Sequence, residues 1–207
     1  MSIVYDQEQK TITLHTKNTT YQMQVDRYGF LLHLYYGKTA EGCMDFLLTY
    51  YDRGFSGNPY DAGTDKTYSM DSLPQEFPSL GTGDYRTPAC IIKNTDRTYC
   101  SDFRYVSHNI KDGKYVLEGL PAVYASDEEA QTLEVMLEDR LTGVRAVLLY
   151  GVLPEYDVIT RSVRIINASS GHISVKKLAP ACLDMVGGDY DFITFYGRHA
   201  MERNCQR

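Results

Sequence analysis

No apolar run in this 207-residue chain approaches the roughly 20 residues that a helix needs to cross a bilayer; the longest, such as Ala146 to Tyr150, stop far short. The opening M-S-I-V-Y-D-Q-E-Q-K lacks both a basic segment and an apolar one, so no secretory signal is expected and a cytoplasmic location is. The five cysteines (Cys43, Cys90, Cys100, Cys182, Cys205) show no C-x-x-C spacing and are odd in number, which argues against a disulfide framework or a structural metal site. They are expected to be free, mostly buried thiols. No Lys/Arg cluster offsets the net charge of -6, so nucleic acid is not an expected partner, and no cofactor is indicated. Internal repeats, low-complexity tracts, linkers and convincing helices are also missing. Residues 1–207 therefore read as one domain. Tryptophan is absent, against eighteen tyrosines.

What is present is strand pattern. Hydrophobic residues at 43% and charged residues at 23% match a soluble globular chain, and a fold of this length buries roughly 70% of its unfolded surface. In 132–138, Leu133, Val135 and Leu137 fall on one face and Thr132, Glu134 and Glu138 on the other, the alternation of a half-buried strand. Further strands are expected at 3–5, 11–16, 21–26, 31–36, 99–110, 115–117, 144–153, 158–166 and 173–185, with turn residues such as K-D-G-K, L-T-G and N-A-S-S-G between many of them. Residues 127–131 form a single turn or an exposed loop. Many short strands without crossover helices indicate an all-β, antiparallel two-sheet sandwich.

Residues 52–89 interrupt the pattern. They hold four of the seven prolines and five glycines without helical or strand period, yet include Phe55, Tyr60, Tyr68, Phe77 and Tyr85. Disordered segments are poor in aromatics, so this is expected to be a long, ordered, functional loop. Tyr60, Tyr68, Phe77 and Tyr85 are expected to anchor it on another surface.

Along this loop, R-x-F-S-x-N-P (53–59), S-M-D-S-L-P-Q-E-F-P (69–78) and G-T-G-D-Y-R-T-P-A (81–89) resemble the opening domain of bacterial α-galactosidases of glycoside hydrolase family 36. H-L-Y-Y-G-K (33–38), G-L-P-A-x-Y (119–124), T-L-E-V-x-L-x-D (132–139), I-T-R-S (159–162) and Y-G-R-H-A-M-E-R (196–203) extend the likeness over nearly the whole chain. The resemblance implies a large supersandwich-type domain preceding a catalytic barrel, in a homotetramer where one subunit's sandwich borders a neighbour's active site. It also implies retaining hydrolysis of terminal α-galactosides such as melibiose and raffinose.

Retention requires two carboxyl groups about 5 to 5.5 Å apart. In the resembled family both lie on the barrel, the nucleophile within K-W-D. A chain without tryptophan cannot contain that motif, so no residue here is assigned a catalytic role. The resemblance makes Asp52, just before R-x-F-S-x-N-P, an acceptor for galactose hydroxyls, and a charged acceptor strengthens such bonds about twofold. It places His199 where the family commonly has tryptophan beside the sugar; imidazole offers less apolar area than indole. Arg53 can pair with Asp52 or with a carboxylate of another subunit, or form a surface salt bridge. The other loop acids, Asp61, Asp65, Asp71, Glu76 and Asp84, are expected to be solvated or to close Asx-turns. Arg161 is expected to be buried with a partner, and His15, His33, His108 and His172 to be structural. Two other readings stand beside the enzyme domain: a stand-alone lectin-like module with tyrosine platforms, and an oligomerisation scaffold.

Overall fold

The computed structural model describes residues 2–52, 54, 57–185 and 188–207. Its strands are β1 (Ile3–Asp6), β2 (Thr11–His15), β3 (Thr19–Val25), β4 (Leu31–Lys38), β5 (Cys90–Lys93), β6 (Phe103–Asp112), β7 (Gln131–Asp139), β8 (Val144–Leu153), β9 (Val158–Asn167), β10 (Ser174–Leu178), β11 (Thr194–Arg198) and β12 (Met201–Gln206). β1–β4 form one antiparallel meander and β6–β9 another, while β10 pairs with β5 and β11 with β12.

Alternation selects the inner faces. Ile12, Leu14, Tyr21 and Met23 of the first sheet pack in one core with Leu133, Val135, Leu137, Ala146, Leu148 and Tyr150 of the second. Burying each such aliphatic side chain contributes about 1.5 to 3 kcal/mol. β7 shows the expected periodicity, its apolar positions buried and Glu134 and Glu138 half-buried on the other face. β8 is buried nearly throughout, lying between β7 and β9, whereas β9 stands half-exposed at the sheet edge. The all-β, antiparallel sandwich expected from the sequence is the observed fold.

β4 is buried on both sides over its first half, and the reason is the long loop. Leu31 faces the main core, while Phe30 and Leu32 join Ala62, Tyr68, Met70 and Leu73 in a second cluster outside it. Residues 74–76 run beside β4: the His33 amide donates to the Pro74 carbonyl (2.7 Å) and the Glu76 amide to that of Leu31 (2.9 Å). The excursion is thereby tied to the sheet and carries its own small core.

Several expectations are corrected. Residues 115–117 are not a strand; the Tyr115 amide donates to the Thr132 hydroxyl (2.9 Å) instead of to a ladder. The strand expected over 173–185 ends at Leu178, two residues before Pro180, which has no N–H to donate. β5, β11 and β12 were not foreseen. Among the cysteines only Cys90 is buried; Cys43 and Cys182 are partly covered, and Cys100 and Cys205 are exposed. Tyr68 (0% exposed) and Phe77 (4%) are core residues of this chain and not external anchors, while Tyr60 (99%) and Tyr85 (81%) do face outwards.

Candidate functional site

The loop is held by a carboxylate buried between the two sheets. Glu76 is fully buried, and one of its oxygens, Oε1, accepts from the hydroxyls of Tyr21 (2.7 Å) and Tyr150 (2.6 Å) and from Arg161 Nη2 (2.8 Å). His33 Nδ1 lies 3.4 Å from Oε2. Arg161 also donates to the Tyr21 hydroxyl (3.1 Å) and lies over the Tyr150 ring, 4.8 Å from its centroid. Tyr21 and His33 belong to the first sheet, Tyr150 and Arg161 to the second, so this single loop residue bridges both. Burial alone would raise the Glu76 carboxyl, but Arg161, with His33 and Tyr150, holds it below the ordinary glutamate value. Burial, reinforced by the Glu76 charge, pushes the phenols of Tyr21 and Tyr150 well up, which keeps them neutral donors.

Two further arginines fasten the excursion. Arg86 donates to Asp84 Oδ1 and Oδ2 (2.9 and 2.8 Å), to the carbonyls of Met70 (3.1 Å) and Leu73 (2.7 Å), and to Asp184 (2.9 Å). Arg104 of β6 donates to Asp102 (2.6 Å), Asp61 (3.0 Å) and the Tyr28 carbonyl (2.6 Å), stacked 3.7 Å from the Phe30 centroid. Tyr68 donates to Asp26 and meets Tyr28 edge-on, with ring centroids 4.7 Å apart. Glu76 departs from expectation, being buried and charge-paired. Asp65 and Asp84 close the local backbone turns foreseen for them, although Asp84 is also buried and paired with Arg86, and Asp52 closes such a turn as well.

Asp52 stands exposed at the start of this tethered segment, its Oδ1 accepting from the Gly54 amide (2.7 Å). That bond leaves the other carboxylate oxygen without a local donor among the described residues. Arg53 lies outside the described residues. The loop arms 57–61 and 81–83 and Arg104 line a cleft of about 370 Å³. His199 is exposed in the two-residue turn joining β11 to β12, where Ala200 adopts φ 64°. This hairpin displays Phe195, Tyr196 and Met201 to solvent. Among the described residues no hydrogen bond or ion pair joins Asp52 to His199, and neither lines the cleft. The two expected sugar contacts are thus separate exposed features, each open to a further surface. Arg161 is buried with a partner as expected, but that partner, Glu76, was missed. Its setting in L-P-Q-E-F-P, an acid between apolar residues and prolines, was the available signal.

No group of three or more His, Cys, Asp or Glu among the described residues is placed to hold a metal. No helix among them is long and apolar enough to cross a membrane.

These features define an antiparallel β-sandwich domain with one long tethered excursion and one exposed hairpin. The chain belongs to the glycosyl hydrolase family 36 N-terminal domain family, whose profile matches residues 29–207. It is 59% identical over 207 residues to the bifunctional alpha-galactosidase/sucrose kinase AgaSK of Mediterraneibacter gnavus, covering 100% of this chain and 22% of that protein. Against alpha-galactosidase Mel36A of Lactobacillus acidophilus the identity is 39%, over 99% of this chain and 28% of that one. The fold matches the galactosidase domain of AgaSK with TM-score 0.96, covering 99% of this chain and 28% of the other. It matches Geobacillus stearothermophilus AgaA, solved in complex with raffinose, with TM-score 0.89 at 35% identity, covering 95% and 27%. The chain spans about a quarter of the length of these relatives.

Proposed function

We propose that residues 1–207 are the non-catalytic N-terminal domain of a cytoplasmic, retaining α-galactosidase acting on terminal α-galactosides of the melibiose and raffinose type. The observation that carries the reading is full-length likeness to the opening quarter of relatives named alpha-galactosidases, one of them solved with raffinose. Absence of tryptophan excludes the K-W-D nucleophile motif from these residues, so the bond-breaking carboxylates belong to a barrel elsewhere in the polypeptide. In that enzyme Asp52 supplies a charged acceptor to the galactose hydroxyls, His199 packs beside the sugar, and Arg53 supports Asp52. The exposed Tyr60 and Tyr85 and the β11–β12 hairpin supply surface for docking the barrel and neighbouring subunits of a tetramer.

The test is Asp52→Asn in the full-length enzyme. Hydrogen bonds to charged groups contribute roughly 1.5 to 3 kcal/mol, so kcat/KM on a nitrophenyl α-galactoside is expected to fall about tenfold or more. An unchanged kcat/KM would leave the domain as a scaffold only. Nitrophenol release by the purified 207-residue chain above a catalyst-free control would overturn the division of labour.

The almost complete exposure of Tyr60, at 99%, favours a second reading, a sugar-binding module in its own right. Calorimetry separates the two. Galactose binding by the isolated chain supports the module, and binding only with the barrel attached supports a composite pocket.

A further inference from the structure

Glu76 is deeper than any other acid described in the long loop, and among the described residues it is the one loop carboxylate bonded to both sheets. Its immediate neighbours also join the sheet, through the backbone bonds of residues 74–76 to β4. The two loop arms leave this point in opposite directions along the chain, one back to Asp52 and one on to the Asp84–Arg86 pair, where Gln75 donates to Asp84 (2.9 Å). Arg86, Arg104 and the small outer core hold the excursion at its arms, and Glu76 ties its middle to both sheets at once. From this geometry we infer that Glu76 is a positioning residue: clamped by Arg161, Tyr21 and Tyr150, with His33 alongside, it sets the placement of the described excursion over 57–85 and, through it, of Asp52 in the galactose pocket.

The physical basis is directional. Apolar packing of Tyr68, Met70 and Leu73 favours burial but tolerates sliding, whereas a buried carboxylate leaves its partners unsatisfied if it shifts by an ångström. Arg161 can reach no other carboxylate among its described ion pairs, so the loop has one register in which that guanidinium is paired. This inference rests on the α-galactosidase reading for its effect on activity, but not for its effect on the loop.

The experiment compares full-length wild-type enzyme with Glu76→Gln and Tyr150→Phe, by hydrogen exchange with mass spectrometry and by steady-state kinetics on a nitrophenyl α-galactoside. Glu76→Gln is expected to speed amide exchange in 57–85 by about tenfold while the central strands β2, β3 and β7 keep their protection. Because the loop binds sugar in the ground state and the transition state alike, KM is expected to rise about fivefold or more with kcat within about twofold. Tyr150→Phe retains the charge pair and removes one donor; it is expected to act on the same peptides to a smaller degree, and it serves as the test if Glu76→Gln does not fold. Unchanged loop exchange in the variant that folds, or acceleration spread evenly over all strands, overturns the proposal. A wild-type enzyme without α-galactosidase activity would refute the functional reading and leave the exchange result to decide the positioning role.

Discussion

At the scale of single residues, the Glu76 site shows why a buried charge is weak evidence for stability and strong evidence for geometry. The pair pays for its own desolvation, but removing one partner leaves the other charged and dry, which costs about 3 to 5 kcal/mol. Arg161→Met is accordingly expected to lower the unfolding free energy of the 207-residue chain, read from urea titration, by that amount, and a change below about 1 kcal/mol would show that water reaches Glu76. The pH response has a defined sign. Since the Glu76 carboxyl is held below its ordinary value of 4.5 in the folded chain, the unfolded chain binds the extra proton in the interval between the two. Its stabilisation is complete above the ordinary value and is lost as pH falls through the folded one. Asp65, Asp96, Glu129 and Asp157 are shifted the same way, Asp96 and Glu129 exposed and Asp65 and Asp157 half-buried at the surface. Urea midpoints measured downwards from pH 6 are expected to fall less steeply in Glu76→Gln than in wild type, and parallel curves would assign the acid response to those four carboxylates instead.

At the scale of elements, the excursion closes on itself where Gly57 and Gly83 cross. A Cβ on Gly83 would stand 2.5 Å from the Gly57 carbonyl oxygen, and Gly83 sits at φ +88°, where side chains are strained. Neither obstacle is the movable end of a side chain, so Gly83→Ala must open the crossing. Strain of this kind costs about 1 to 3 kcal/mol. Limited proteolysis is expected to cut Gly83→Ala within 57–85 well before wild type, with the sandwich strands left intact; equal rates would show that the crossing does not hold the loop. What was legible in the sequence follows the range of the interactions. β7 could be read because its alternation is local, and the existence of the loop because proline, glycine and missing period are local too. The β11–β12 hairpin could not, since its turn is His199-Ala200, with Ala200 at positive φ and neither glycine nor asparagine to mark it. The burial of Glu76 was hidden for a different reason. Its partners lie at positions 21, 33, 150 and 161, and no neighbouring residue announces them.

At the scale of the whole molecule, the surface is larger than the mass calls for. A compact monomer of 23.6 kDa exposes about 9,800 Å², against 12,556 Å² here. The excess is apolar in part: Phe192, Phe195 and Tyr196 around β11 are 84%, 69% and 59% exposed, and among the described strands none pairs with the outer edge of β9. Scattered exposed apolar residues are ordinary, but a hairpin bare on both faces marks an interaction surface. The same hairpin carries His199, so under the proposed reading the surface that docks the barrel also delivers the residue beside the sugar. Phe195→Ser combined with Tyr196→Ser separates docking from folding. Exposed substitutions usually fall within about 0.5 kcal/mol, so the pair is expected to leave the unfolding midpoint of the 207-residue chain nearly unchanged. In the full-length enzyme the proposed reading buries the rings against the barrel, and each truncation is then expected to remove apolar contact worth about 1.5 to 3 kcal/mol. Thermal unfolding there is expected to begin several degrees lower, with KM raised through displacement of His199. Indifference in both forms would mean that the hairpin faces water in the complete enzyme and that His199 lies away from the sugar.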